Sequence, residues 1–141
     1  MRAAPSRSLN LALVVLTSGM LAGCASLSTA CPAPSQPTQW VQLAFGRSIG
    51  DQGLVSDQDF QRFIDTEVTP RFPDGLTVVD AHGQWRGGDG RIVREPSKIL
   101  MLALPPGAGG LEKVEAVRTA YKQAFHQESV MLLTQPACVG F

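Results

Sequence analysis

The sequence predicts an α+β fold, a sandwich in which two helices pack on one face of a four-stranded antiparallel sheet. Three observations carry that expectation. Runs rich in alternating or β-branched apolar residues stand at 40–45, 76–86, 91–104 and from 130 onward. Two segments, 57–68 and 111–125, repeat their apolar residues at helical spacing. Glycine or proline clusters separate the segments.

The elements follow in order. From Trp40 to Phe45, Val41, Leu43 and Phe45 alternate against Gln42 and Ala44, as in a half-buried strand. Gly46 to Gly53 reads as a loop. Ser56 stands at an N-cap position, and Asp57 and Asp59 place negative charge in the first helical turn. Phe60, Phe63, Ile64 and Val68 form the apolar stripe of that helix, which Pro70 and Pro73 stop. Leu76 to Arg86 is a second strand, Gly87-Gly88-Asp89-Gly90 a turn, and Arg91 to Leu104 a third strand. Pro105 to Gly110 breaks it. Leu111, Val114, Val117, Tyr121 and Phe125 make the stripe of a second helix, with Ala116, Ala120 and Ala124 beside it as close-packing positions. Val130 to Leu133 opens the last strand. The order β-α-β-β-α-β is the ferredoxin-like split unit. In it the last strand pairs antiparallel with the first, and the sheet face away from the helices is solvated, covered by the tail or buried against a partner.

The N-terminal segment predicts export. Arg2 and Arg7 precede a mostly apolar run from Leu9 to Leu21, too short and interrupted to span a membrane. Leu21-Ala22-Gly23-Cys24 resembles the lipobox of bacterial lipoproteins. That resemblance implies a signal peptide over 1–23 and a diacylglyceryl group on the thiol of Cys24, with the freed amine often acylated as well. Cleavage after Ala30 by an ordinary signal peptidase, or retention of the segment as an uncut anchor, are the competing readings. By the sorting rule of Gram-negative lipoproteins, Ala25 after the cysteine directs the chain to the outer membrane, facing the periplasm. Residues 24–38 then form the lipidated cysteine and a tether rich in serine, threonine and proline, and 39–141 a single domain. Extended, the 14 residues from Ala25 to Thr38 reach at most about 45–50 Å.

The whole chain carries 12 basic and 12 acidic residues. Removing Arg2 and Arg7 leaves 10 against 12, a net charge of −2. No basic stripe stands out, so nucleic acid is not an expected partner. With Cys24 lipidated, Cys31 and Cys138 remain, in a compartment where thiols oxidise. In the expected topology the start of the first strand lies beside the end of the fourth, which favours a Cys31–Cys138 disulfide over two unrelated cysteines. The three cysteines lack metal-ligand spacing, so no metal is expected, and no cofactor either.

Most of the unusual polar residues fall between Thr69 and Lys98. If the hairpin turn centres on Gly88-Asp89, His82 faces Glu95 and Asp80 faces Ser97, with Gln84 and Arg86 on the same face. A carboxylate opposite an imidazole tunes a general base, though such a pair is more often purely structural. Gly46, Gly50 and Gly53 match no phosphate-binding spacing. Ser48 and Ser97 lack the context of an activated nucleophile. Trp85 reads as core before it reads as a ligand platform, and His126 as a partner of the helix dipole. The candidate binding face is therefore His82, Gln84, Arg86 and Glu95, with Arg47 and Arg71.

Four stretches bear a family resemblance: Phe45-Gly46-Arg47, Thr69-Pro70-Arg71-Phe72-Pro73-Asp74-Gly75-Leu76-Thr77, Gly83-Gln84-Trp85-Arg86 and Arg94-Glu95-Pro96-Ser97-Lys98. Together they resemble the family called domain of unknown function 3574, over about Trp40 to Phe141. The resemblance implies a bacterial secreted or lipid-anchored protein and assigns no catalytic residues. Pro96 stands where many members carry a polar residue, which implies a local bend in the third strand. Two functions compete. One is a non-enzymatic envelope lipoprotein whose open sheet face or hairpin binds an envelope protein or a small ligand. The other is a small enzyme or ligand carrier similar to the dimeric α+β barrels, in which a homodimer closes two sheets around a cavity. An apolar face with few polar groups favours the second, a charged wet face the first.

Overall fold

The computed structural model describes residues 30–107 and 109–141. The expected signal peptide, Cys24 and the expected tether up to residue 29 lie outside them. The described residues form strand β1 (Gln36–Gly46), helix α1 (Asp57–Phe63), strands β2 (Thr77–Arg86) and β3 (Ile92–Leu104), helix α2 (Gly110–Phe125) and strand β4 (Met131–Val139). The sheet is antiparallel throughout, with strand order β2-β3-β1-β4. The expected α+β, ferredoxin-like arrangement is therefore present.

Val41, Leu43 and Phe45 of β1 and Leu100, Leu102 and Leu104 of β3 point to one face, where they are buried under Phe60 and Phe63 of α1 and Val114, Val117 and Tyr121 of α2. Each such side chain contributes roughly 1.5–3 kcal/mol by leaving water. Aromatic rings fill the centre, with Phe45 and Tyr121 centroids 4.6 Å apart in an edge-on contact. The Tyr121 hydroxyl donates to the Gly46 carbonyl at 2.8 Å, so its polar end is satisfied. Burial pushes its acidity well below that of an ordinary phenol.

Helix α1 starts as expected, with the Asp59 amide donating to the Ser56 hydroxyl at 3.0 Å. It then widens into a π turn over Ile64–Val68, where the Thr69 amide donates to the Ile64 carbonyl. That turn lets Phe63, Ile64 and Val68 all reach the core.

Several boundaries differ from expectation. Strand β1 begins at Gln36, so Gln36, Pro37 and Thr38 belong to the sheet and not to the tether; they pair with Val139, Cys138 and Ala137. Leu111 is exposed, as are Ala116 and Ala124, and of the alanine stripe only Ala120 packs on the core. Pro96 is accommodated within β3 because its missing N–H faces only the end of β1, and the Arg47 carbonyl that such a donor would serve accepts from the Val55 amide instead. Its carbonyl accepts from the Arg47 amide just past the last β1–β3 pair, Gly46–Ser97, so its nitrogen also faces the end of β1. The disulfide is formed: Cys31 and Cys138, 107 residues apart, are bonded with their Cα atoms 5.5 Å apart. It ties the chain before β1 to the end of β4.

Candidate functional site

The β2–β3 hairpin decides which side chains meet. Its last pair is Arg86–Ile92, and the five residues between them close through Gly87 to Arg91 and Gly90 to Gly87 backbone bonds. The Arg91 amide donates to the Asp89 carboxylate at 3.0 Å, and Gly90 takes a φ of 81°, which glycine adopts without strain. The loop has an odd number of residues and centres on Asp89, not between Gly88 and Asp89. The register is therefore displaced by one from the expected pairing: His82 lies opposite Pro96, Gly83 opposite Glu95, and Asp80 opposite Lys98. A one-residue displacement moves a side chain to the other face. The expected His82–Glu95 and Asp80–Ser97 pairs do not exist.

The two faces can now be assigned by alternation from the buried pair Val78–Leu100. Asp80, His82, Gln84 and Arg86 lie on the helix side of the sheet, beyond the helices. His82 and Gln84 there share a recess of about 450 Å³ with Arg94 and Pro96, which Gly83 and Glu95 also border although the Glu95 carboxylate turns to the other face. Glu95 lies on the opposite, open face with Trp85. Arg47 is a structural residue: its Nε donates to the Val55 carbonyl at 2.7 Å and its Nη1 lies 3.0 Å from the Asp57 carboxylate. Asp57 also meets Lys98 at 2.7 Å, and Lys98 bonds Asp80 across the hairpin. The Lys98 and Arg47 bonds hold the Asp57 carboxyl below the usual aspartate range, and the Asp57 and Asp80 carboxylates raise Lys98. Arg71 turns onto Glu67, 2.9 Å away, at the end of the π turn. The six candidate residues are thus divided among four places, and only His82, Gln84 and Arg86 share one.

What the structure does bring together is a carboxylate and an indole. Glu95 Oε1 accepts from Trp85 Nε1 at 3.1 Å, and Oε2 accepts from the Ser48 amide at 3.1 Å. The Ser48 carbonyl accepts in turn from Gln127 at 2.7 Å. The Glu95 side chain lies across Gly46, where a Cβ would stand 2.7 Å from its carboxylate. Trp85 is 45% exposed, not core as its sequence context suggests. Gly83 has no side chain to cover this end of the sheet, and a Cβ there would meet Ser97 Oγ only at 3.6 Å. Sequence reasoning missed the pair because it placed Trp85 in the core and Glu95 with His82. The parity of Trp85 relative to Val78 was the signal that locates it.

The rest of the open face is uncharged and mostly apolar, with Gln42, Ser97 and Gln135 among its polar positions. Val79, Met131 and Leu133 stand 40%, 57% and 40% exposed there, and Trp40, Ile99 and Met101 are half-buried beside them. At the end far from Glu95 this face deepens into a cleft of about 600 Å³ under Leu76, Pro105, Pro106 and Phe141.

The sequence model of the family described as "Protein of unknown function (DUF3574)" matches residues 41–141. The chain belongs to that family. The Phe45, Gly83 and Arg94 stretches of this DUF3574 chain meet at the Glu95–Trp85 end of the sheet, while the Thr69 stretch forms the corner between α1 and β2. Two solved structures share its fold. A phage SAM lyase in complex with S-methyl-5'-thioadenosine is 18% identical, with a TM-score of 0.58 over 72% of this chain and 88% of that one. The phage SAM lyase in its apo state is 20% identical, with a TM-score of 0.56 over 71% and 81%. Comparison with curated proteins gives no match.

Proposed function

We propose that this DUF3574 chain is a lipid-anchored envelope protein whose domain binds a small ligand on the open face of its sheet, at the Trp85–Glu95 end. One observation carries the reading: a mostly apolar face without other charges holds a carboxylate already oriented beside an exposed indole. A sheet face kept for water alternates polar and charged residues outward. Ligand sites instead combine apolar walls with a few positioned polar groups. Each Glu95 oxygen has a further lone pair free for a ligand N–H or O–H, and Trp85 offers a ring for stacking, an interaction worth about 1–3 kcal/mol for a nucleobase. A planar nitrogen heterocycle with donor groups fits both. The thioadenosine nucleoside held by the structural neighbour is of that class, which supports the choice of probe.

Thermal unfolding in the presence of S-methyl-5'-thioadenosine tests the reading. Binding raises the midpoint, by an amount equivalent to about 2.7 kcal/mol at a hundredfold excess over Kd. Trp85→Ala abolishes the shift and Glu95→Gln weakens binding at least tenfold. No shift for the wild type with nucleoside probes, together with capture of an envelope protein by crosslinking from Trp85, favours the protein-docking reading instead.

The anchor is tested separately. No helix among the described residues is long and apolar enough to cross a membrane. On the lipoprotein reading membrane retention rests on Cys24, and Cys24→Ser is expected to move the protein into the soluble periplasmic fraction. Unchanged retention rejects lipidation at Cys24.

A further inference from the structure

The largely uncharged cleft at the other end of the open face lies where the anchor enters the domain. Strand β1 starts there, β3 and β4 end there, and the disulfide fixes Cys31 to Cys138 beside it. Only seven residue steps separate Cys24 from Cys31, a reach of at most about 25 Å. Trp40, Leu76, Met101 and Phe141 line the cleft together with the uncharged polar residues Gln36, Thr38 and Thr77, and its lining includes no lysine or arginine and a single acidic side chain, Asp74. Leu111, in the first turn of α2 after the β3–α2 loop, is also exposed at this pole.

We infer that this pole rests on the phospholipid surface, with the cleft against the acyl boundary and the Trp85–Glu95 end directed away from the membrane. The inference rests on lipidation of Cys24. Three features support the bilayer as occupant. The tether is too short to let the cleft drift far from the surface. Indole and other apolar side chains gather at membrane interfaces, and a second contact of this kind adds to the hold of an acyl anchor. The lining offers almost no charge for a polar protein partner. Trp40 lies opposite Ala103 and Trp85 opposite Val93, ten residues apart along β3. At about 3.3 Å per residue that is roughly 33 Å, so an upright domain puts one tryptophan at the lipid and the other in water.

The two tryptophans provide the experiment. The full chain is expressed in a Gram-negative host, purified from membranes, weighed by mass spectrometry and reconstituted into phosphatidylcholine vesicles with brominated acyl chains. In Trp85→Phe, the remaining Trp40 is expected to lose most of its emission to bromine. In Trp40→Phe, Trp85 is expected to keep its emission and to be quenched by aqueous acrylamide. Should Trp40→Phe fail to fold, Trp85→Phe alone still decides, read with bromine and acrylamide in turn. Lipid on Cys24 with Trp40 unquenched by bromine overturns this inference and leaves the anchor standing. Quenching of both tryptophans means the sheet lies flat, which also overturns it. A mass without lipid removes the anchor and this inference together.

Discussion

Glu95 lies across Gly46, so close that a methyl group on Gly46 would stand 2.7 Å from the carboxylate. The same carboxylate holds the Ser48 amide and the Trp85 indole. Gly46→Ala therefore forces Glu95 aside and breaks one or both bonds. The cost is expected near 1 kcal/mol, the low end for overpacking, because the far end of a glutamate can swing away. Urea denaturation measures the cost, and a shift in Trp85 emission in a Trp40→Phe background reports the lost bond. An unshifted emission maximum means that Glu95 does not position Trp85.

Gly46 is also held from the other side, by the Tyr121 hydroxyl. Tyr121→Phe keeps the ring among Phe45, Phe63 and Phe125 but leaves the carbonyl without that donor. A loss of about 1–2 kcal/mol is expected from equilibrium unfolding. A change within a few tenths means that the carbonyl finds another partner.

Much of this fold was legible in the sequence because periodicity and punctuation agree in it. The alternation of Val41, Leu43 and Phe45, the Ser56 cap and the stripe through Val114, Val117 and Tyr121 each report a local physical requirement. The site was not legible, because it depends on the parity of one loop. Four residues or five between β2 and β3 are equally compatible with Gly87-Gly88-Asp89-Gly90, and the choice transfers Glu95 from His82 to Trp85. Nor does local pattern show that Gln36 to Thr38 enter the sheet. A proline-rich run reads as tether until β4 and the disulfide supply partners for it.

His126 follows α2 in the left-handed region, with φ 53°, and its amide donates to the Lys122 carbonyl. Helices commonly end on such a residue, and glycine takes it without the cost a side chain incurs. His126→Gly is expected to stabilise the domain by about 0.5–1 kcal/mol, measured by thermal or chemical unfolding. A loss of stability means the imidazole makes a contact worth more than the strain it brings.

Asp57 sits between Lys98 and Arg47, which hold its carboxyl below the ordinary value. A depressed acid adds stability above its unfolded pKa of about 3.9 and loses it as pH falls through the folded value. Asp57→Asn is therefore expected to be less stable than wild type at pH 7, with the gap closing below about pH 4. A gap that persists there assigns the effect to helix capping or packing, not to charge. Lys98 is raised, so its share persists through neutral pH and is lost only as pH rises through its folded value, in the alkaline range.

The Cys31–Cys138 bond closes almost the entire domain, 107 residues in sequence. A loop of that length loses much freedom in the unfolded chain, so reduction is expected to cost about 2–5 kcal/mol. The folded contacts around it should change little, since Gln36 to Thr38 are also held to β4 by backbone pairing. Chemical unfolding of the wild type with and without reductant, beside Cys31→Ser with Cys138→Ser, separates the two effects. Equal midpoints for all three samples reject a stabilising role. If only the double variant is weak, the serines disturb packing and the bond itself adds little. A matched loss on reduction and in the variant, with Trp85 emission unchanged, assigns the stability to the cross-link and leaves the open face intact.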